Sequence, residues 1–275
     1  CLALLSPAPV ALADDAQSLQ SALRLALGKD WDAALAAAPA GVGRDVILWQ
    51  KLRDGKGSLG EYEDFLSRRA DWPGLPFLKE KGEEAAARST TPSRVIAYFG
   101  SDLPQTALGA IALVQALKAD GQTALAETEA MRAWAELSFT AEEETALLLL
   151  EPEALARVHQ LRLDNLLWQG RRAEAVRMLP RIGADWQRLA AARIGLRADQ
   201  NGTTALIEAV PPKLKADPGL TYERFLWRMR RDAYDDAVQL LLDTPAEALG
   251  RPDLWAERRA LMARWVMRNG RPKDA

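Results

Sequence analysis

Apolar residues recur along this chain at the three- and four-residue intervals of an α-helix. Clear examples are Ile111, Val114 and Leu117 in one segment, and Leu155, Val158, Leu163, Leu166 and Leu167 in another. This spacing places the apolar side chains of each segment on one helix face. No stretch of useful length alternates apolar and polar residues as a half-buried strand does. The pattern therefore predicts an all-α fold.

Several helix starts are marked by residues suited to the first turn. An oxygen acceptor followed by proline fits the N-cap and the first helical position, and this pair occurs at Thr91, Asp217 and Thr244. The spacing of a capping box occurs at Thr140 with Glu143 and at Thr244 with Glu247. We expect helices to begin at these three prolines and after Thr140.

A turn motif recurs, in which glycine is followed five residues later by alanine. Its copies are Gly28–Ala33, Gly121–Ala126, Gly170–Ala175 and Gly270–Ala275, with a looser copy at Asp232–Ala237. The glycine is expected to supply a left-handed helix C-cap, and the small alanine lets the second helix approach the first. Because the spacing between copies is irregular, the motif predicts an irregular superhelical solenoid of tetratricopeptide-like hairpins.

Composition excludes some classes of function. Of the 275 residues, 48% are apolar and 27% are charged, which is a normal globular balance. The net charge of −2 supplies no strong positive field, so we expect neither nucleic-acid binding nor attraction to an anionic membrane.

The N-terminal segment predicts export. Residues 1–13, CLALLSPAPVALA, are apolar and uncharged and end in Ala-Leu-Ala before two aspartates, as in a signal peptide cleaved after Ala13. The run is shorter than the ~20 apolar residues that span a bilayer. Lipidation of Cys1 is an alternative. Cleavage would remove the only cysteine, so residues 14–275 are expected to form one exported domain without disulfides.

No catalytic, metal-binding or cofactor-binding residue is predicted. His159 is the only histidine, which excludes a paired-histidine metal site, and we expect it to have a packing or capping role. Glu142, Glu143 and Glu144 are expected at a helix start, where negative charge complements the helix dipole. Glu83 and Glu84 are expected on a solvated helix face.

Nine tryptophans are many for a chain of this length: Trp31, Trp49, Trp72, Trp134, Trp168, Trp186, Trp227, Trp255 and Trp265. Most follow helical spacing beside leucine or alanine, which predicts packing between hairpins. Stacking on sugars is the alternative, and Trp72, in the turn Asp71-Trp72-Pro73-Gly74, is the residue least explained by core packing.

Four segments carry a resemblance to a known family. They are ILWQKLRDGKGSLGEYEDFLSRRADWPG (47–74), VIAYFGSDLPQTALGAIALVQAL (95–117), DPGLTYERFLWRMRRDAYDDAVQLLL (217–242) and LGRPDLWAERRALMARWVMRNG (249–270). Together they resemble the N-terminal superhelical region of the soluble lytic murein transglycosylases of Gram-negative bacteria. The distinctive parts are DWPG, the YFG-x-x-x-PQT turn and the DPG-x-x-YER-x-x-WR helix.

The resemblance implies a periplasmic protein that acts on peptidoglycan. In that family a glutamate of a C-terminal lysozyme-like domain cleaves glycan strands to 1,6-anhydromuropeptides. The motifs of that domain have no match here, so no catalytic residue is carried over. We therefore expect a fragment that stops before the linker and catalytic domain, with Gly270 opening a hairpin that the sequence does not complete. The alternative is a periplasmic tetratricopeptide-like scaffold that binds proteins through a concave face.

Overall fold

The structure is a computed structural model that describes the backbone of residues 8–275 and the side chains of residues 14–275. In this part of the chain helices account for 75% of the residues, and no β-strand occurs. The prediction of an all-α fold is confirmed. Of the expected signal segment, residues 1–7 lie outside the described residues, and residues 8–13 form the start of the first helix.

Seventeen α-helices follow one another in the described chain. They are α1 (Ala8–Leu27), α2 (Trp31–Ala37), α3 (Val42–Arg53), α4 (Leu59–Arg68), α5 (Leu75–Ala87), α6 (Pro92–Phe99), α7 (Ala107–Ala119), α8 (Thr123–Glu136), α9 (Ala141–Leu150), α10 (Pro152–Ala156), α11 (His159–Gln169), α12 (Arg172–Met178), α13 (Ala184–Arg197), α14 (Thr203–Glu208), α15 (Pro218–Arg230), α16 (Tyr234–Leu242) and α17 (Pro252–Arg268). Short 3₁₀ helices occur at Leu179–Arg181, Pro212–Leu214, Ala246–Leu249 and Pro272–Asp274.

The chain divides into two compact units. Unit 1 contains Cys1–Ala133 and Leu137–Pro152, and unit 2 contains Trp134–Glu136 and Glu153–Ala275. The same packing order appears inside each unit. In unit 1 the odd-numbered helices contact one another in succession from α1 to α9, and in unit 2 the same holds from α11 to α15. Most even-numbered helices pack beside an odd-numbered sequence neighbour, as α2 does on α1 and α12 does on α11.

Helix α7 is the centre of the core of unit 1. Its sequence, ALGAIALVQALKA, is apolar around most of the helix, and nine of its residues are buried. A helix that is apolar on all sides must be surrounded by other elements. Accordingly, α7 contacts α5, α6 and α9.

Seven odd-numbered helices end in the same hydrogen-bonded turn. At the end of α11 the Gly170 N–H donates to the Leu167 carbonyl at 3.2 Å, and the Arg171 N–H donates to the Leu166 carbonyl at 2.9 Å. These two bonds define a Schellman motif around a residue with positive φ. The left-handed residues of the seven turns are Lys29, Gly55, Gly121, Gly170, Asp199, Asp232 and Gly270.

The predicted hairpin turns are confirmed at Gly121, Gly170 and Gly270, where glycine has positive φ. The prediction is wrong at Gly28, because Lys29 is the left-handed residue, with φ of 60°. The register therefore counts from Lys29, and the alanine five residues later is the fully buried Ala34 instead of Ala33.

The same count gives buried alanines at Ala126, Ala175 and Ala237, each fully buried. A side chain of this size allows two helices to approach closely. In the last copy Ala275 is exposed and follows a 3₁₀ turn. The predicted buried alanine is therefore confirmed at three of the five turns, and a fourth turn has one after the register is corrected to Ala34.

Three of the four predicted helix starts are confirmed. Thr140 and Glu143 form a complete capping box at the start of α9, and the Asp217 carboxylate accepts from the Leu220 N–H at 2.7 Å at the start of α15. Thr91 precedes α6 without a side-chain cap. The fourth is wrong, because the Thr244 hydroxyl donates to the Leu240 carbonyl and closes α16, and only a 3₁₀ turn follows.

The corrected register generates a prediction. Gly121 has φ of 79° and no atom near the position of an added Cβ, so Gly121→Ala introduces backbone strain without a clash. We expect it to lower the free energy of unfolding by about 1 kcal/mol. Gly28→Ala should be neutral or slightly stabilising, because Gly28 does not have positive φ. Urea unfolding followed by circular dichroism measures both, and equal losses would contradict the assignment of Lys29.

Candidate functional site

A buried carboxylate binds the PQT turn (residues 104–106), which belongs to one of the four segments that carry the family resemblance. Glu83 of α5 is 2% exposed. Its Oε1 accepts from the Gln105 N–H at 2.8 Å, and its Oε2 accepts from the Thr106 N–H at 2.8 Å and the Thr106 hydroxyl at 2.6 Å. The Thr106 hydroxyl in turn accepts from the Gly109 N–H at 3.0 Å. Glu83 thus joins α5 to the turn that precedes α7.

The expectation of a solvated Glu83 is therefore wrong, whereas Glu84 is exposed as predicted. Burial raises the pKa of Glu83, and the hydrogen bonds from Thr106 and Gln105 act in the opposite direction. A Cβ added at Gly109 would lie 2.2 Å from Glu83 Oε2, so glycine is required for this contact. Gln105, Thr106 and Gly109 of the LPQTALG sequence thus all take part in the joint between α5 and α7.

The DPG-x-x-YER helix contains a second charged joint, in unit 2. Arg193 of α13 is 1% exposed and lies beside Asp164 at 2.5 Å and Asp217 at 3.5 Å. A Cβ added at Gly219 would lie 2.1 Å from the Arg193 guanidinium carbon. In the DPG sequence, Asp217 thus pairs with the buried Arg193, and Gly219 leaves room for its guanidinium group.

The glutamate of YER extends this joint by one turn. Glu223 is buried and pairs with Arg197. Burial raises the pKa of Glu223, and the neighbouring Arg197 opposes that rise. Trp168 lies beneath two cations, since the guanidinium carbons of Arg193 and Arg251 are 5.2 and 5.4 Å from its ring centroid.

The core role predicted for most tryptophans is confirmed at six positions. Trp134, Trp168 and Trp255 are buried, and Trp186, Trp227 and Trp265 pack against the apolar clusters of unit 2.

His159 also has the expected packing role. Its Nδ1 accepts from the Trp134 indole N–H at 3.1 Å. Burial lowers the pKa of His159, and the neighbouring arginines Arg181 and Arg162 lower it further, which favours the neutral ring that can accept this bond.

Three aromatic side chains of unit 1 remain partly accessible and are grouped with two cations. We call Trp49, Arg53, Trp72, Phe77 and Lys81 the aromatic–basic surface. The rings of Trp49 and Trp72 lie 6.5 Å apart. The Arg53 guanidinium is 4.5 Å from the Trp49 centroid and 5.9 Å from that of Phe77. Lys81 Nζ is 5.1 Å from the Phe77 centroid.

The local fold fixes this surface. The Trp49 indole donates to the Pro73 carbonyl at 3.2 Å, which ties α3 to the DWPG turn. Trp72 packs edge-on against the buried Phe65 at 5.7 Å. Phe77 itself is 40% exposed. Trp72, which core packing explained least well, therefore lies where a rigid turn meets solvent.

A concave region of about 480 Å³ adjoins the aromatic–basic surface and shares Arg53 and Lys81 with it. Its two acidic residues have other partners, because Asp54 pairs with Lys29 at 2.7 Å and Glu84 pairs with Arg88 at 2.6 Å. Among the described residues, Arg53, Lys56 and Lys81 form no ion pair. The region is therefore positively charged beside a stacking platform.

This arrangement suits an extended ligand with flat apolar faces and carboxylates. Aromatic rings can stack on sugar rings, and arginine and lysine donate charge-assisted hydrogen bonds to carboxylates. In the described part of the chain, no group of three or more histidine, cysteine, aspartate or glutamate side chains could hold a metal ion. No described helix has the length and apolarity needed to cross a bilayer.

The other buried carboxylates have structural partners. The pairs are Asp45 with Arg69, Glu129 with Arg132, Glu151 with Lys118, and Glu174 with Arg162. Of the three acidic residues at the start of α9, Glu143 completes the capping box and Glu142 is exposed, while Glu144 is buried. No carboxylate geometry in the described residues singles out an acid and base for catalysis.

Comparison with known proteins gives no assignment. No family model matches the chain, and neither a curated protein nor a solved structure shows significant similarity to it. The resemblance to the lytic transglycosylases thus depends on the four sequence segments alone.

The buried Glu83 joint generates a second prediction. In Glu83→Gln one donor N–H of the new amide would face the N–H groups of Gln105 or Thr106, leaving a buried donor unpaired. We expect the free energy of unfolding to fall by about 2 kcal/mol. Glu84→Gln is the control, because its exposed pair with Arg88 contributes less than about 0.5 kcal/mol. Urea unfolding compares the variants, and a matched small loss in both would show that Glu83 does not hold α7.

Proposed function

We propose that this chain is the non-catalytic helical part of a periplasmic lytic transglycosylase that cleaves peptidoglycan glycan strands to 1,6-anhydromuropeptides. The proposal rests on one observation: the PQT and DPG-x-x-YER sequences, which carry the resemblance, lie where helices are joined. PQT is held by Glu83, and DPG with YER holds Arg193 and Arg197. These residues fix the positions at which the helices of this chain meet.

The proposal includes an irregular superhelical solenoid of tetratricopeptide-like hairpins. Two features support it within each unit: successive odd-numbered helices contact one another, and Schellman turns end most of those helices. Repeats that contact only their neighbours have this pattern.

Peptidoglycan is the proposed partner, and the aromatic–basic surface is its proposed contact. The glycan strand offers sugar faces for Trp49 and Phe77. The carboxylates of its stem peptides offer partners for Arg53, Lys56 and Lys81, which lack ion pairs in the described chain. Export to the periplasm, as the N-terminal segment predicts, would bring the surface to this polymer.

The same geometry allows a second function, a periplasmic scaffold for proteins. Phe77 also lines a cleft of about 760 Å³ between α5 and the connection from α6 to α7. Leu103, at the edge of this cleft, is 54% exposed. An extended peptide with apolar side chains would fit such a cleft.

Purified murein sacculi distinguish these functions. The chain should sediment with sacculi and release no anhydromuropeptides, because the acid and base of the reaction are proposed to lie in another domain. Phe77→Ser and Lys81→Glu should each weaken sacculus binding by about fivefold, a loss of roughly 1 kcal/mol. Leu149→Ser is the control, since Leu149 is an exposed apolar residue of unit 1 outside this surface.

Three results would overturn the proposal. They are release of anhydromuropeptides by the chain alone, sacculus binding unaffected by Phe77→Ser and Lys81→Glu, and a coding sequence that continues without a lysozyme-like domain. The last two together would favour the scaffold.

A further inference from the structure

Another pocket lies in unit 2, between α14 and α15. It encloses about 310 Å³ and is lined by Thr203, Ile207, Glu208, Arg224, Trp227 and Arg228, among others. Arg224 and Arg228 are one turn apart on α15, so their side chains extend from the same helix face. The pocket thus combines two cations with an apolar wall formed by Ile207 and Trp227.

These two arginines differ from their neighbours on the chain. Arg230 donates to the Leu196 carbonyl at 2.6 Å, and Arg231 pairs with Asp199 at 2.8 Å. Neither Arg224 nor Arg228 forms an ion pair with a described residue. The Nη1 atom of Arg228 is also shielded from solvent without a hydrogen-bond partner in the described chain. Arg224 and Arg228 therefore bring positive charge to the pocket lining without an ion-pair partner in the described chain.

The charges around Arg228 support this interpretation. Burial lowers the pKa of Arg228, and Arg224 lowers it further, while Asp236 of α16 acts in the opposite direction. Glu208 is the acidic residue in the pocket lining. Neither Asp236 nor Glu208 lies within ion-pair distance of the two arginines. The two carboxylates therefore offset part of the positive charge but form an ion pair with neither arginine.

The indole N–H of Trp227 is buried and faces the Asp199 carboxylate, whose pKa it helps to lower. Arg224 and Arg228 are therefore the stronger anion ligands, and the ring of Trp227 serves as a wall.

We propose that this pocket binds a small organic acid, with its carboxylate held by Arg224 and Arg228 and its apolar part against Ile207 and Trp227. Arginine matches a carboxylate with paired N–H donors, and a volume of this size suits a small molecule. The site is independent of the proposed contact with peptidoglycan, which lies in unit 1.

Calorimetric titration of the whole chain with benzoate, benzamide and inorganic phosphate at fixed ionic strength tests the proposal. Benzoate should bind, and uncharged benzamide of the same shape should bind at least about tenfold more weakly. Phosphate should also bind more weakly than benzoate, because it cannot use the apolar wall. Arg228→Met should reduce benzoate affinity by about tenfold or more.

Arg264→Met is the matched control, because it makes the same charge change at an exposed position of α17. Its benzoate affinity should equal that of the unaltered chain. If Arg228→Met does not fold, Arg228→Lys keeps the charge but loses the paired donors, and it should still weaken binding severalfold. Equal affinity for benzoate and benzamide, tighter binding of phosphate, or full affinity in a folded Arg228 variant would overturn the site.

Discussion

The structure depends on satisfying the ends of many short helices. Each helix leaves backbone N–H groups free at its start and carbonyl groups free at its end, and seventeen helices repeat this requirement along the described chain. The Schellman turns satisfy the carbonyls at seven ends. Asp217 and the Thr140–Glu143 pair satisfy N–H groups within their own helices. At the start of α7 the Thr106 hydroxyl caps the Gly109 N–H, and the N–H of Thr106 itself is bound by a carboxylate from another helix, Glu83.

Glu83 shows how a capping requirement becomes a tertiary constraint. Its carboxylate reaches N–H groups of the turn before α7, so α5 and α7 can pack in only one register. The buried Arg193, with Asp164 and Asp217, has the same effect between α13, α11 and α15. Buried charges of this kind contribute little net stability, but removal of one partner leaves the other unsatisfied. They therefore select one arrangement among many in which similar apolar helices could pack.

Local features of the sequence predicted the fold class, most hairpin turns and the packing of most tryptophans. Local reasoning failed at Gly28, because a lysine adopts the left-handed conformation that glycine usually supplies. It failed at Thr244, whose hydroxyl could serve either the helix before it or the helix after it. The burial of Glu83 depends on Gln105 and Thr106, more than twenty residues away, and no periodicity of α5 encodes that contact. The aromatic–basic surface was indicated only by the unexplained Trp72, because its cations come from α3 and α5 and are brought together by packing.

Charged residues that hold helices together differ in their partners from the charged residues that we propose bind ligands. At both joints each buried charged group meets an opposite charge or several hydrogen-bond donors from a neighbouring helix, although individual atoms such as Arg193 Nε form no hydrogen bond in the described chain. Arg53, Lys56 and Lys81 in unit 1 lack such a partner among the described residues, as do Arg224 and Arg228 in unit 2. Each set lies in a concave region beside an exposed or half-buried aromatic ring. Arg224 and Arg228 also repel each other, because like charges one turn apart on a helix face are mutually destabilising. An acidic ligand would supply the negative charge that the unpaired cations lack and could pack against the neighbouring aromatic ring.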